Sequence, residues 1–230
     1  MRSSKWHALG NVYLLVEGAE LTPEDVRAEV GDADGIVQVV ASGRDWADLV
    51  IWNPDGTTAE MSGNGTRIAA RWLADKEHAD QVRIRVGERK VEARMLGGDD
   101  VEQELGEVAV YERERIAGLD VIPVSVGNPH AVVVGDPDDV PLIGPLLETH
   151  PRFPQRTNVQ VVRVERPGEV TARVWERGVG ETAASGTSAV AVAAATHEDG
   201  EVVVHFPGGD LRVRLEGRSA WLTGPATRLE

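Results

Sequence analysis

The chain has 230 residues, 41% hydrophobic and 27% charged, the composition of a folded globular protein rather than a disordered one. Its 38 acidic residues against 24 basic ones give a formal net charge of −14, which would repel a nucleic-acid phosphate backbone or an anionic membrane surface. No apolar run approaches the length of a membrane span, and with no cysteine there is neither a disulfide framework nor a thiolate metal site, so a cytoplasmic enzyme is expected.

In chain order, the N-terminal MRSSKWHALGNVYLLVE holds an opening strand, and Thr22-Pro23-Glu24-Asp25 reads as a helix cap with proline at the first helical position. Strands are predicted near 36–40 and 48–52, a helix at about 65–75, and strands at 82–86 and 89–95, the former alternating Val82, Ile84 and Val86. After the charged run Glu112-Arg113-Glu114-Arg115, strands are predicted at 121–126 and 130–134, a short helix from Pro141 to Thr149, and strands at 158–164 and 169–175. A helix at about 186–197 and strands near 202–206, 211–215 and 220–223 complete the chain. The helices at 65–75 and 186–197 are rich in alanine and lack interior Gly and Pro, which suits helices enclosed by curved sheet.

Those two helices open alike. Ser62-Gly63-Asn64-Gly65-Thr66 precedes one and Ser185-Gly186-Thr187-Ser188 the other, with Glu60 and Glu181 shortly before them. The spacing, just over half the chain, suggests two related halves, residues 1–115 and 116–219, with the last strand, about 220–230, returning to the first.

A helix N-terminus carries unpaired N–H groups and the positive end of the helix dipole, and glycine lets a ligand approach that backbone. If the halves face each other, two such ends hold one carboxylate while Ser62 and Ser185 reach a carbon from opposite sides, the geometry for inverting a stereocentre. Serine is also among the commonest helix caps, so either motif alone reads first as structural, and it is the pair that points to a site. Asn11, Asn53, Asn128 and Asn158 fall at strand ends, where they serve either as turn residues or as substrate amides. Glu176 and Arg177 form either a surface ion pair or an acceptor and donor for a zwitterion. His130 stands apart from the other histidines because it follows Gly127-Asn128-Pro129. No metal, nucleotide or dinucleotide fingerprint occurs, so no cofactor or metal is expected.

Taken in order, Leu9-Gly10-Asn11, Ala33-Asp34-Gly35, Asn53-Pro54-Asp55-Gly56, Ser62-Gly63-Asn64-Gly65, Gly127-Asn128-Pro129-His130, Phe153-Pro154-x-Arg156-x-Asn158 and Glu176-Arg177-Gly178-Val179-Gly180-Glu181-Thr182 before Ser185-Gly186-Thr187 resemble the diaminopimelate epimerase family over nearly the whole chain. The resemblance implies an α/β (α+β) fold of two pseudo-symmetric domains, each a curved, mostly antiparallel sheet around a central helix, often found as a homodimer. It implies cofactor-independent interconversion of LL- and meso-diaminopimelate in lysine biosynthesis. Ser62 and Ser185 stand at the positions of the family's two catalytic cysteines. Gly63, Asn64, Gly186 and Thr187 would bind the reacting carboxylate, and Asn11, Asn53, Asn128, Asn158, Glu176 and Arg177 the amino groups and distal carboxylate. His130 and Glu181 would support the pair.

The chain departs from the family pattern at Val12, where aspartate is usual, in a shortened stretch before Ala33, and in the serines. A thiol with a pKa near 8.5 is readily ionised at a helix N-terminus, whereas a hydroxyl needs an adjacent base, for which His130 and Glu181 are the candidates. Complete loss of cysteine reads either as a serine-bearing branch of the family or as a deliberate replacement. Two other functions fit the same residues: an isomerase or racemase of this fold on another substrate, and a catalytically silent ligand-binding homologue.

Overall fold

The computed structural model describes residues 2–229, and the chain divides into two compact units. The first runs up to Glu104 and resumes at Thr223; the second is Leu105–Leu222. The architecture is mixed α+β, mostly sheet with few helices.

In the first unit, β1 (Arg2–Ala8) and β2 (Asn11–Glu17) form a hairpin whose register pairs Ala8 with Asn11. Both turn residues, Leu9 and Gly10, have positive φ, the backbone twist a two-residue hairpin requires. Helix α1 (Pro23–Glu29) begins with a reciprocal capping box between Thr22 and Asp25 and carries the chain to β3 (Gly35–Ser42), parallel to β2. β4 (Trp46–Trp52) runs antiparallel to β3, and the short β5 (Thr58–Ala59) pairs with its end. Helix α2 (Gly63–Glu77) then crosses to β6 (Gln81–Val86), parallel to β4, and β7 (Arg89–Gly97) and β8 (Asp100–Glu107) follow antiparallel.

The core of this unit is α2 packed among Trp6, Leu15, Val37, Leu49, Ile51 and Ile84. On the other face of β2 and β3, α1 places Val26 and Val30 against Val16 and Ile36. β3 is therefore covered on both sides, and Gly35 to Val39 are buried in succession, whereas β6 alternates buried and exposed. Helix α2 starts at Gly63, two residues before the predicted beginning, because the Ser62 cap and full burial outweigh the poor helix propensity of Gly63 and Gly65. It ends at His78, which takes the left-handed cap conformation (φ 54°).

The second unit opens with β9 (Ala109–Val110) and β10 (Glu114–Ile116), then β11 (Leu119–Ser125) and β12 (Pro129–Val134), which pair antiparallel. A 3₁₀ turn at Pro137–Asp139 and helix α3 (Val140–Glu148) lead to β13 (Asn158–Arg166), parallel to β12. β14 (Glu169–Glu176) and β15 (Gly180–Thr182) precede α4 (Gly186–Thr196), which crosses to β16 (Gly200–Phe206), parallel to β14. β17 (Gly209–Glu216) is antiparallel to β16, and β18 (Ser219–Pro225) carries the chain back to the first unit, where β19 (Thr227–Arg228) pairs with β1.

Ala189 to Ala193 of α4 are each 0% exposed, and five consecutive residues span more than one turn, so along this stretch no face of the helix meets water. Its alanines favour a helix and its Thr187, Val190 and Val192 do not, and at 11 residues it is too short to be stable without enclosure. Helix α3 covers the opposite face of β13 through Val140 and Leu147. Gly144 of α3 lies against Trp175 so closely that a Cβ there would sit 2.6 Å from the Trp175 side chain. Gly144→Ala should therefore destabilise the protein by about 1–3 kcal/mol through overpacking, read as a lowered urea unfolding midpoint.

Candidate active site

The first constellation gathers at the start of α2. Ser62 is extended (φ −138°, ψ 118°), and its Oγ accepts the Gly65 N–H at 3.0 Å. The same oxygen lies 3.1 Å from the phenolic oxygen of Tyr13 on β2. Beneath this first turn, Gln103 Nε2 donates to the Gly63 carbonyl at 2.8 Å, and the Thr66 hydroxyl is 2.9 Å from both Gln103 Oε1 and the Ser62 carbonyl. Arg67 is fully buried; its Nη2 donates to Asn64 Oδ1 at 2.7 Å and its Nη1 to the Gly63 carbonyl at 3.3 Å. Its Nε has no partner, and among the described residues no carboxylate pairs with it. Burial pulls the guanidinium down to about 10 while the charges of Tyr13 and Asp100 act to raise it, so Arg67 is a cation at neutral pH.

Asn64 therefore has two roles to fill: its carbonyl oxygen holds Arg67, which leaves its amide N–H groups for another acceptor. Asn11 lies two residues before Tyr13 on β2, on the same side of the strand. Asn53 sits at the turn after β4, where Nδ2 donates to Thr57 Oγ1 at 2.9 Å and Asp55 accepts the Thr57 N–H at 2.8 Å.

The second constellation gathers at the start of α4. Ser185 is buried and occupies the cap position, yet its side chain makes no cap hydrogen bond. Beside it, Asn128 Nδ2 reaches Thr187 Oγ1 at 3.5 Å, and Asn128 Oδ1 is 2.9 Å from His130 Nε2. Gln160 Nε2 lies 3.0 Å from His130 Nδ1 and donates to Ser188 Oγ at 2.9 Å. With Gln160 donating, Nδ1 is the acceptor and Nε2 carries the proton to Asn128, a neutral imidazole. Burial, against the Gln160 hydrogen bond and aided by the Arg177 charge, pushes His130 down to about 3.

Asn158 is used at both ends: Nδ2 donates to the Pro129 carbonyl at 3.1 Å and Oδ1 accepts the Arg177 N–H at 3.0 Å, fixing the turn after β14. Glu176 accepts the Thr182 hydroxyl at 2.6 Å, and Arg177 Nη1 reaches the Gln155 carbonyl at 3.3 Å. Glu148 of α3, not suggested by the sequence, accepts Trp175 Nε1 and the Gly178 N–H, both at 2.8 Å. Burial pushes its carboxyl up, but these bonds and Arg156 outweigh that and hold it below the ordinary value.

Neither residue expected to take a proton from a serine is bonded to one. Glu181 is drawn to Arg173 at 2.6 Å, and both ring nitrogens of His130 are engaged by amides. The group on a serine is Tyr13. Its position on the Asn11 face of β2 was the available signal, masked because an aromatic residue in a strand reads as core. Gly35, paired with Tyr13 across β2 and β3, makes room for it: a Cβ there would sit 2.9 Å from the Tyr13 ring and 2.5 Å from the Trp52 carbonyl.

Between pH 6.5 and about 3, folded His130 stays neutral while the unfolded chain binds a proton. Protons thus favour unfolding, and stability should fall as pH drops through that window by up to about 1.4 kcal/mol per unit. Comparison of unfolding free energies of His130→Asn and the unsubstituted protein from pH 7 to 4 should show a shallower decline in the variant.

A family model described as diaminopimelate epimerase matches residues 3–110 and 122–229. Diaminopimelate epimerase of Pelotomaculum thermopropionicum is 35% identical over 98% of this chain and 96% of its own, and that of Desulforudis audaxviator 38% identical over the same shares. Among solved structures, a predicted epimerase from Pseudomonas aeruginosa superposes with a TM-score of 0.76 at 15% identity, covering 100% of this chain and 97% of its own. A hydroxyproline epimerase from Agrobacterium vitis superposes with a TM-score of 0.70 at 15% identity, covering 99% and 88%. These two likenesses concern the fold.

Proposed function

The chain belongs to the diaminopimelate epimerase family, and from that footing we propose that it interconverts LL- and meso-diaminopimelate by proton transfer at Cα, a step of lysine biosynthesis. The observation that carries the reading is the pair of enclosed helices, α2 and α4, each entered through Ser-Gly with a polar residue following, Asn64 or Thr187. In this reading the two units are pseudo-symmetric halves, and the first turns of both helices receive the reacting carboxylate through the N–H groups of Gly63, Asn64, Gly186 and Thr187. Ser62 serves one face of Cα and Ser185 the other, one removing a proton and the other delivering one.

Asn11, Asn53, Asn128, Glu176 and Arg177 are assigned to the amino groups and distal carboxylate. Asn158 joins them by holding the Arg177 backbone, since both ends of its amide are already engaged. His130, neutral and fixed by two amides, orients Asn128 and carries no proton for the reaction. Proton transfer between hydroxyls and Cα calls on no cofactor. A cytoplasmic location and a homodimer belong to the same reading; among the described residues no helix is long and apolar enough to cross a membrane.

Serine in place of cysteine sets the rate. Each pKa unit between base and task is worth about 1.4 kcal/mol, so hydroxyl chemistry should be slow beside thiol chemistry. Incubated with LL-diaminopimelate in deuterated water, the protein should replace one Cα proton by deuterium as the meso isomer accumulates, followed by NMR. Ser62→Cys with Ser185→Cys should raise turnover by at least about 100-fold. Absence of exchange from both the unsubstituted protein and the double variant overturns the substrate assignment.

A further inference from the structure

Ser62 and Ser185 differ in what stands behind them. Ser62 Oγ is held by the Gly65 N–H at 3.0 Å and touches the Tyr13 phenol at 3.1 Å, whereas Ser185 makes no side-chain cap hydrogen bond. Tyr13 is 9% exposed, and its ring is seated over Gly35, where any side chain would displace it. Behind the pair, Arg67 is a wholly buried cation with no carboxylate partner among the described residues and with one N–H unsatisfied. A buried charge of that kind favours a negative group nearby, and a phenol is the group the fold supplies.

We propose that Tyr13 is the proton-holding partner of Ser62, a positioning residue through which an aliphatic hydroxyl does the work of a thiolate. The inference rests on the epimerase reading given above. In the forward step the Cα–H bond breaks and its proton goes to Ser62 Oγ, while the proton Ser62 carried passes to the Tyr13 phenolate; the electron pair remains on Cα. Ser185 delivers a proton to the opposite face and regains one from water, and Tyr13 releases its proton to water, so the protein ends as it began. The reverse reaction runs the Tyr13–Ser62 transfer backwards, from phenol through hydroxyl to Cα.

The charge that favours the phenolate is that of Arg67 on α2, whose own ionisation responds to Tyr13 and to Asp100 at the start of β8. The strand neighbours of Tyr13, Trp6 on β1 and Gly35 on β3, are uncharged, which leaves Arg67 as the cation that the Tyr13 charge is seen to act on. The contacts that hold Arg67 in the core are to neutral acceptors, the Gly63 carbonyl and Asn64 Oδ1.

The test is a double-substitution cycle read by Cα deuterium exchange. Tyr13→Phe keeps the ring and removes the oxygen. With Ser62 present it should lower kcat by about 100-fold. In the Ser62→Cys background, where the thiol ionises by itself, the same change should cost less than about tenfold. A packing role alone would give equal losses in both backgrounds, and that equality overturns the proposal. Urea unfolding midpoints of the Tyr13→Phe proteins, expected to match those of their parents, establish that the losses are not losses of fold. Exchange by the Ser62→Cys, Ser185→Cys protein with none from the unsubstituted chain overturns the Tyr13 relay while leaving the substrate assignment standing. No exchange from either overturns that assignment instead.

Discussion

A helix buried on every side along its opening turns must be enclosed, and the strands that enclose it must also satisfy the polar atoms of its first turn. That constraint governs both units. Around α2 it requires the turn of sheet from β1 to β7, and around α4 the strands from β11 to β17. Each crossing helix joins strands that run parallel, β2 to β3, β4 to β6, β12 to β13 and β14 to β16, whereas β1–β2, β3–β4, β6–β7, β11–β12, β13–β14 and β16–β17 are joined as antiparallel neighbours. The strands covered on both faces lose their alternation for the same reason.

The polar atoms under the first turns are met by single buried amides. Gln103 binds the Gly63 carbonyl and faces the Thr66 hydroxyl; Gln160 binds Ser188 and His130. Each amide fixes where a helix begins to within one hydrogen bond. Not every atom is met: Arg67 Nε and Gln160 Oε1 are buried without partners, an expense of about 1–3 kcal/mol each. Arg67 is the cation that holds Asn64 Oδ1 and Gln160 the amide that holds His130 Nδ1, so the fold gives up stability at the start of each enclosed helix.

Local signals served the sequence reading well where a side chain's task is local. Thr22 with Pro23, the Ala-rich helices, and the strand alternation at Val82, Ile84 and Val86 each depend on neighbours within a turn or a strand. The helix-start motifs were legible as well, since Ser-Gly before an apolar helix has few other meanings. Partners distant in sequence were not legible. Tyr13 and Ser62 are 49 residues apart, and Glu148 and Gly178 are 30 apart. Glu181 misled because closeness along the chain to Ser185 suggested closeness in space, whereas β15 directs its carboxylate to Arg173 on β14. Asn53 and Asn158 looked like equivalent amides, but one closes its own turn and the other ties β12 to the Arg177 backbone.

The unequal bonding of the two serine hydroxyls bears on how the protein meets its ligand. Ser62 is already locked by two contacts, so a molecule docking there loses nothing to ordering that rotor; Ser185, at a helix start with no cap bond, keeps a torsion that the ligand must freeze. One hydroxyl is therefore preset and the other adjustable, so the entropic cost of fixing a rotor on binding falls on Ser185 rather than on Ser62.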